Sequence, residues 1–382
     1  MAHKIELIPV GNGDMTLITL ESGKTILIDC NIRVAGSNDC DECFDALAAL
    51  KKRLEKDGNG RHYVDVFALS HPDQDHCRGF EDNFYVGKPS DRATDDDKIF
   101  IREIWSSPIV FRRFTANDES LCDDAKGFRK EAKRRVQVWR DEGIAAEGDR
   151  VLVLSQDEDG KTDDLGGILI EAGKDITTIC GAAEVGFSAT LVGPLPPSDD
   201  EEAEDARKKN RSSIILNFSL SNGNTDRVTR FLSTGDAGVA VWEQINNEYD
   251  VQELEYDILQ APHHCSWRSL SHDSWSKSDD PKVSADAKSA LSNMTDANAA
   301  VIVVSSNPIR DDDNDPPCIG AKREYVSWLG SKDRFFCTEE HRIDDQPAVL
   351  TFSITSEGLV SPSRKTTKRA SAILGGRTIE HG

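Results

Sequence analysis

Four side chains that commonly bind metal ions fall within one short segment of this sequence. They are His71, Asp73, Asp75 and His76, in the stretch Ser-His-Pro-Asp-Gln-Asp-His. Their alternation lets one tight loop direct His71 and Asp73 at one ion while Asp75 and His76 reach another. Imidazole nitrogen and carboxylate oxygen suit zinc, manganese or iron ions. Taken alone, the segment is as typical of a hydrogen-bonded turn as of a metal site.

Further ligand candidates occur where two later apolar runs end. Asp236 follows the run 230–233, and His263 and His264 follow the run 257–259. If these runs are strands, a sheet would bring all the candidate ligands to one edge, as a metal site on a rigid scaffold requires. The sequence does not decide whether His263 or His264 is the ligand.

The segments around these residues have the patterns of an α/β protein. Residues 15–20 and 24–29 are apolar runs joined by a Ser-Gly turn, which predicts an antiparallel pair of strands. Residues 39–56 carry apolar side chains at the helical period. The run 64–69 is rich in β-branched and aromatic residues and stops just before Pro72, so the candidate metal loop begins where a strand ends.

The chain length bounds the domain organisation. A chain of 382 residues is long enough for one large or two ordinary domains. We expect one domain over 1–360, with an insertion at about 82–180 and a covering loop at about 267–297. The tail 361–382 is basic and is predicted to be disordered.

Charge and hydropathy restrict the partners. The net charge of −22 repels polyanions from most of the surface. A nucleic acid would need a local contact, and the predicted helix 123–141 offers Lys130, Arg134 and Arg135 for one. The other interpretation of these cations is a solvated helix face.

Two observations address the membrane and the compartment. No apolar run approaches the roughly 20 residues of a membrane-spanning helix, so no membrane partner is expected. Glu6 and Pro9 interrupt the stretch that a signal peptide would keep apolar. We therefore expect a cytoplasmic location, while protein partners and the oligomeric state stay open.

Five segments in the same order resemble the metallo-β-lactamase-fold hydrolases, and most closely the hydrolase domain of ComEC-type DNA-uptake proteins. The segment Val10-Gly11-Asn12-Gly13-Asp14 is similar to that branch's opening motif, and Thr25-Ile26-Leu27-Ile28-Asp29 to the strand after it. Leu69 to His76 resembles the metal loop of that branch. The later motifs are Phe231-Leu232-Ser233-Thr234-Gly235-Asp236 and Gln260-Ala261-Pro262-His263-His264-Cys265-Ser266.

The resemblance implies an αββα sandwich, in which two mixed β-sheets lie face to face with helices outside. It also implies two divalent metal ions, with zinc or manganese expected. His71, Asp73 and Asp236 would hold one ion, and Asp75, His76, Asp236 and His263 would hold the other. Asp14 and Asp29 would accept hydrogen bonds from ligand imidazoles.

The function implied by the resemblance is hydrolysis of phosphodiester bonds, by a nuclease or a nucleotide phosphodiesterase. A hydroxide shared by two ions about 3.5 to 4 Å apart would be the nucleophile. Asp75 could orient the attacking water or take its proton. His264 could protonate the leaving oxygen, or replace His263 as a ligand.

Two alternatives follow from the same residues. One is hydrolysis of another ester, a lactone or a thioester, because the fold does not select among these substrates. The other is a non-catalytic metal-binding subunit in a bacterial defence or stress system. A departure from the wider superfamily favours this second alternative, since no histidine occurs near Leu191-Val192-Gly193-Pro194.

Overall fold

The computed structural model describes residues 2–34, 43–93, 96–108, 121–143, 145–157, 160–196, 213–223 and 227–362. Apart from its first two residues, the predicted tail 361–382 lies outside the described residues. The strands, numbered along the chain, are β1 (His3–Leu7), β2 (Thr16–Thr19), β3 (Thr25–Ile28), β4 (Cys30–Asn31), β5 (Tyr63–Leu69), β6 (Phe100–Ser106), β7 (Arg150–Leu154), β8 (Leu169–Ile170), β9 (Asp175–Ile176), β10 (Thr178–Ile179), β11 (Ala182–Ala183), β12 (Phe187–Gly193), β13 (Ile215–Leu220), β14 (Thr229–Ser233), β15 (Ile258–Gln260), β16 (Val301–Val304), β17 (Phe335–Cys337), β18 (Arg342–Ile343), β19 (Gln346–Pro347), β20 (Leu350–Thr355) and β21 (Gly358–Val360).

The α-helices are α1 (Ala46–Lys51), α2 (Gln74–Cys77), α3 (Phe80–Asn83), α4 (Asp123–Glu142), α5 (Val239–Glu248), α6 (Ala285–Leu291) and α7 (Ile319–Leu329). Helix α1 is shorter than the predicted helix 39–56. It begins after Asp45, whose carboxylate accepts the N–H of Ala48, and it ends at Lys51. Among the described residues, no helix combines the length and the apolar character that crossing a membrane requires.

The first sheet has the strand order β21-β20-β1-β2-β3-β5-β6-β7-β8. Strands β2 and β3 pair antiparallel, so the pair predicted from 15–20 and 24–29 is confirmed. Their turn contains Gly23 at a φ of 89°, a left-handed conformation that favours glycine. From β3 to β8 the neighbouring strands run parallel. The carboxyl ends of these parallel strands therefore share one edge.

The second sheet has the order β17-β16-β15-β14-β13-β12-β9. Its strands are antiparallel from β9 to β14 and parallel from β14 to β17. Each large sheet is therefore mixed, with an antiparallel half and a parallel half. In both sheets the predicted metal-binding residues follow strands of the parallel half.

Three buried apolar clusters separate four layers. The cluster between the sheets joins side chains such as Ile18 of β2 and Phe231 of β14. A second cluster packs α1, α3 and α4 on the outer face of the first sheet, and includes Phe128. A third packs α5, α6 and α7 on the second sheet, and includes Trp242 and Tyr325. The αββα sandwich predicted from the sequence is confirmed.

The segments predicted as an insertion and a covering loop both contribute to the layers of the sandwich. Residues 82–180 supply β6, β7 and β8 of the first sheet, the helix α4 that covers it, and β9 of the second sheet. Residues 267–297 contribute Trp267, Leu270 and helix α6 to the outer cluster of the second sheet. Both segments therefore belong to the layers that support the strand ends.

Candidate metal centre

The carboxyl ends of four parallel strands bring the predicted ligands together. Asp29 follows β3 and His71 follows β5 in the first sheet, while Asp236 follows β14 and His263 follows β15 in the second. Ligand sites in α/β sheets lie at the carboxyl ends of strands, where the chain leaves the sheet. The packing of the two sheets brings both edges to one site.

The metal loop is shaped by a single helical turn. Strand β5 ends at Leu69, and α2 begins at Gln74, immediately after Asp73. Asp75 and His76 are the second and third residues of this helix. The side chain of His76 is fully buried, whereas that of Asp73 is 64% exposed.

Asp236 lies at the centre of four imidazoles. Its Oδ1 is 3.2 Å from Nε2 of His76 and 3.7 Å from Nε2 of His264. Its Oδ2 is 3.5 Å from Nε2 of His71 and 3.6 Å from Nε2 of His263. The two oxygens of one carboxylate therefore face two separate pairs of imidazole nitrogens.

Two further carboxylates extend these pairs. Asp73 Oδ2 lies 3.6 Å from Nε2 of His71, on the side of Asp236 Oδ2. Asp75 Oδ2 lies 3.3 Å from Nε2 of His264, on the side of Asp236 Oδ1. This grouping differs from the predicted one, because His264 rather than His263 lies with Asp75 and His76.

The turn after β15 separates the two neighbouring histidines. His263, His264 and Cys265 have φ values of 51°, 52° and 68°, and non-glycine residues adopt this left-handed region only at a cost. The two imidazole rings lie 6.1 Å apart at an interplanar angle of 73°. The turn thus places one imidazole on each side of Asp236.

The Nδ1 atoms of three imidazoles are held by hydrogen bonds. Nδ1 of His76 is 2.7 Å from Asp29 Oδ2, and Nδ1 of His264 is 3.0 Å from the carbonyl oxygen of Ser305. Nδ1 of His71 is 3.1 Å from the hydroxyl of Ser70. Metal-binding histidines commonly use the second ring nitrogen in this way, which orients the first.

The opposite ring nitrogens have no hydrogen-bond partner. Within the described residues, Nε2 of His71, His76 and His264 and Oδ1 of Asp236 are buried without one. Unpaired buried polar atoms are costly and need an explanation. A divalent cation would satisfy all of these lone pairs, so the residues fit a metal site.

Asp14 approaches the same centre from the first sheet. Asp14, His76, Asp236 and His264 offer ligand atoms that all lie within 4.8 Å of one another. The Asp14 carboxylate is nearest to the Nδ1 atoms, at 3.8 Å from His76 and 3.6 Å from His264. Burial raises the pKa of Asp14 to about 6. At these distances Asp14 accepts no hydrogen bond from either imidazole, because Asp29 and Ser305 hold the two Nδ1 atoms, so its place fits a ligand rather than the predicted acceptor.

The electrostatics of the centre require positive charge. Burial favours neutral imidazoles, yet the Asp236 carboxylate outweighs it and raises the pKa of both His71 and His264 to about 9. Burial also opposes the charged form of Asp236, but the surrounding histidines hold its pKa well below the usual range. Protons on the imidazoles supply in the metal-free protein the charge that a bound cation would bring.

Sequence reasoning missed three serines that hold the centre. Ser70 donates from its backbone N–H and its hydroxyl to Asp29, at 2.6 and 2.5 Å. Ser305 supplies the carbonyl that accepts from His264. The hydroxyl of Ser213 accepts the Asp236 N–H at 3.1 Å. Only Ser70 had a signal in the sequence, since it stands next to His71 in the metal loop.

Gly13 gives a prediction about the loop before Asp14. Its φ is 148°, and a Cβ atom there would overlap the Asn31 amide and lie 2.7 Å from the carbonyl oxygen of Asp75. We expect Gly13→Ala to displace the Asp75 loop and to lower the free energy of unfolding by about 1–3 kcal/mol. Denaturant unfolding and metal content measure the two effects. Gly58→Ala is the matched control, because no atom lies within 4 Å of its Cβ position; equal effects of the two substitutions would contradict the prediction.

The structure corrects one of the three nucleic-acid contacts predicted on α4. Arg135 is 1% exposed, and its guanidinium donates to Glu131 and to the carbonyl oxygens of Ile101 and Arg150. The prediction for Arg135 is wrong, because the helix face that carries it packs against the sheet. Arg134 is half-buried and bonds Glu131 and Asp149, while Lys130 is exposed.

No family model matches this chain, and no curated protein matches it. Among solved structures, it is similar to the crystal structure of unliganded yeast PDE1, with a TM-score of 0.37 and 10% sequence identity. The match covers 88% of this chain and 98% of that chain.

Proposed function

We propose that this protein is a metal-dependent hydrolase of phosphodiester bonds that uses two divalent ions, zinc or manganese. The observation that carries the proposal is the Asp236 carboxylate, each oxygen of which faces a different pair of imidazole Nε2 atoms. A shared carboxylate between two sets of nitrogen ligands is what a binuclear site needs. A single structural ion would not need the second set.

The residues divide into two sets around Asp236. His71, Asp73 and His263 would hold the ion on the Oδ2 side, and Asp75, His76 and His264 the ion on the Oδ1 side. Ions held in this way would supply Lewis-acid polarisation and the activation of water. The resemblance to the ComEC-type hydrolase domains supports the phosphodiester substrate.

The surroundings of the histidines support distinct roles. The His264 side chain is 1% exposed, and both of its ring nitrogens face protein groups, which favours a ligand over a proton donor to the leaving oxygen. His263 is 21% exposed. Burial opposes ionisation of Asp75, but the adjacent His264 imidazole and the charge of His76 lower its pKa, so it is a carboxylate. Asp75 is therefore assigned to bind an ion and to orient the attacking water.

A polar cleft next to the segment that carries Asp14 is the proposed place for the substrate. Its volume is about 420 Å³, and it is lined in part by Asn12, Asn307, Arg310 and Asp312. Asn12 is two residues from Asp14, and its side-chain oxygen accepts the N–H of Asn307 at 2.9 Å. The cleft therefore adjoins the segment that carries Asp14.

The charge distribution favours a short substrate over a long nucleic acid. The chain carries a net charge of −22, and Arg135 is buried in ion pairs and carbonyl contacts. Asp312 also lines the cleft. Polyanions depend on many phosphate contacts with lysine and arginine, so we favour a small nucleotide diester as the substrate.

The test uses bis-p-nitrophenyl phosphate with purified protein of measured metal content. We expect hydrolysis that a chelator abolishes and that zinc or manganese restores. Asp75→Ala is expected to lower kcat by about 100-fold or more, within the range for a residue that assists proton transfer. Asp82→Ala, an exposed carboxylate on the nearby helix α3, is the matched control and should keep full activity.

The other outcomes decide between the alternatives. Cleavage of carboxylic esters or thioesters without cleavage of the diester would overturn the substrate class. Tight binding of two metal ions without hydrolysis of any ester would favour a metal-binding subunit. Hydrolysis that persists in Asp75→Ala would mean that the reaction takes place elsewhere.

A further inference from the structure

Two thiols lie side by side where the metal loop meets helix α4. Cys77 is the last residue of α2 and directly follows His76. Cys122 immediately precedes α4. Their sulfur atoms are 3.5 Å apart, and both cysteines are reduced. Cys77 is fully buried, whereas Cys122 is partly exposed.

Hydrogen bonds connect both thiols to the elements that carry the site. The Cys77 sulfur also lies 3.2 Å from the carbonyl oxygen of Asp73. Cys122 accepts the N–H of Ala125 at 3.4 Å, as the capping residue of α4. In the first turn of α4, the Asp124 carboxylate accepts the N–H of Gly79 at 2.9 Å. The first turn of α4 therefore supports the segment that holds the candidate ligands.

We propose that Cys77 and Cys122 are an oxidation site, at which a hydroperoxide converts the two thiols into a reversible disulfide that displaces the metal loop. The two sulfurs are in contact, and a small oxidant can reach the partly exposed Cys122. The sulfurs of a disulfide are about 2.05 Å apart, so forming the bond requires a modest shift of the two segments that carry Cys77 and Cys122. The hydrogen bond from the Cys77 thiol, together with the Ala125 N–H, also lowers the pKa of Cys122 to about 7 against the effect of burial.

The chemistry takes place in two steps. The Cys122 thiolate attacks the hydroperoxide, its O–O bond breaks, and the sulfur becomes a sulfenic acid while the alcohol or water leaves. The Cys77 thiol then attacks the sulfenic sulfur, the S–O bond breaks, and the S–S bond forms with loss of water. The hydroperoxide is reduced and the two thiols are oxidised. A dithiol reductant reverses the change by exchange.

A disulfide at Cys77 would affect the candidate metal centre, because Cys77 is next to a proposed ligand. Cys77 is joined by one peptide bond to His76, whose Nε2 is 3.2 Å from Asp236. Drawing Cys77 toward α4 pulls on the turn that carries both Asp75 and His76. A displacement of about 1 Å at an active site can cost about 100-fold in rate. We therefore expect oxidation to lower hydrolysis by at least about 10-fold, an effect that rests on the proposed function.

The test treats the metal-loaded protein with hydrogen peroxide, followed by mass spectrometry with and without dithiothreitol. We expect the intact mass to fall by two hydrogens and a cross-linked peptide pair that contains Cys77 and Cys122. Cys122→Ser is the sharpest variant, because a serine oxygen still caps α4. That variant should lose the cross-link and keep its diester hydrolysis after peroxide. Cys180→Ser, a partly exposed cysteine elsewhere, should behave like the wild type.

Three outcomes would overturn the proposal. They are the absence of the cross-linked peptide, a disulfide that joins Cys77 to the buried Cys30 instead, and an equal loss of hydrolysis in Cys122→Ser. The mass measurement needs no activity, so it remains decisive if the protein hydrolyses no diester. Failure of the proposed function and failure of this inference are thereby separated.

Discussion

Asp236→Asn is expected to remove the metal centre while leaving the fold in place. The carboxylate faces four imidazole nitrogens, two on each oxygen. An amide keeps one acceptor oxygen and turns an N–H₂ group toward the other pair. Loss of an outer partner of a metal ligand already costs about 10- to 100-fold, so loss of the shared ligand should cost more than about 100-fold in diester hydrolysis. Metal analysis should find fewer than two ions per chain.

The same substitution should also destabilise the metal-free protein. Asp236 is buried and is the partner of histidines whose pKa values it raises. Removing one partner of a buried ion pair typically costs about 3–5 kcal/mol, and denaturant unfolding in the presence of a chelator measures it. Asp257→Asn is the matched control, because Asp257 lies just before the opposite end of β15 and accepts the N–H of Arg230. Two ions per chain in Asp236→Asn would refute the shared-ligand assignment.

Asp29→Asn is expected to weaken metal binding without removing any proposed ligand. Asp29 accepts from Nδ1 of His76 at 2.7 Å and from the hydroxyl and N–H of Ser70. An asparagine can keep the contact of Oδ1 with the Ser70 N–H, but an amide nitrogen in place of Oδ2 cannot accept from His76 or from the Ser70 hydroxyl. His76 would then lose the bond that presents Nε2 to the metal. Substitution of such a partner typically lowers metal affinity by about 10- to 100-fold, which competition with a chromophoric chelator measures.

Asparagine is chosen at position 29 for a backbone reason. The φ of Asp29 is 59°, and asparagine tolerates this left-handed conformation better than alanine does. Asp45→Ala, which removes the capping residue of α1, is the control for a general loss of stability. It should lower the free energy of unfolding by about 1 kcal/mol and leave metal affinity unchanged. If Asp29→Asn binds metal as tightly as the wild type, Asp29 does not orient His76.

Part of the fold could be predicted because several strands are apolar runs bounded by polar residues. The apolar runs 15–20, 24–29 and 64–69 became β2, β3 and β5, with polar residues beginning where each strand ends. The segment 82–180 had weaker patterns and was interpreted as an insertion, yet it provides three strands of the first sheet. The strands of this segment join the sheet by pairing with strands from elsewhere in the chain; β6, for example, pairs with β5.

The amino-acid sequence by itself determined the chemical types of the candidate ligands and the positions at which several strands end and loops begin. Those properties are local, because periodicity and turn residues act over a few positions. Only the tertiary structure decided that His263 and His264 lie on opposite oxygens of Asp236, and that Arg135 is buried. It also decided that the Ser305 hydroxyl donates to the carbonyl oxygen of Gly13 at 2.7 Å, across the two sheets. Such contacts depend on how the two sheets pack, and side-chain packing between residues far apart in the chain leaves no local pattern to read.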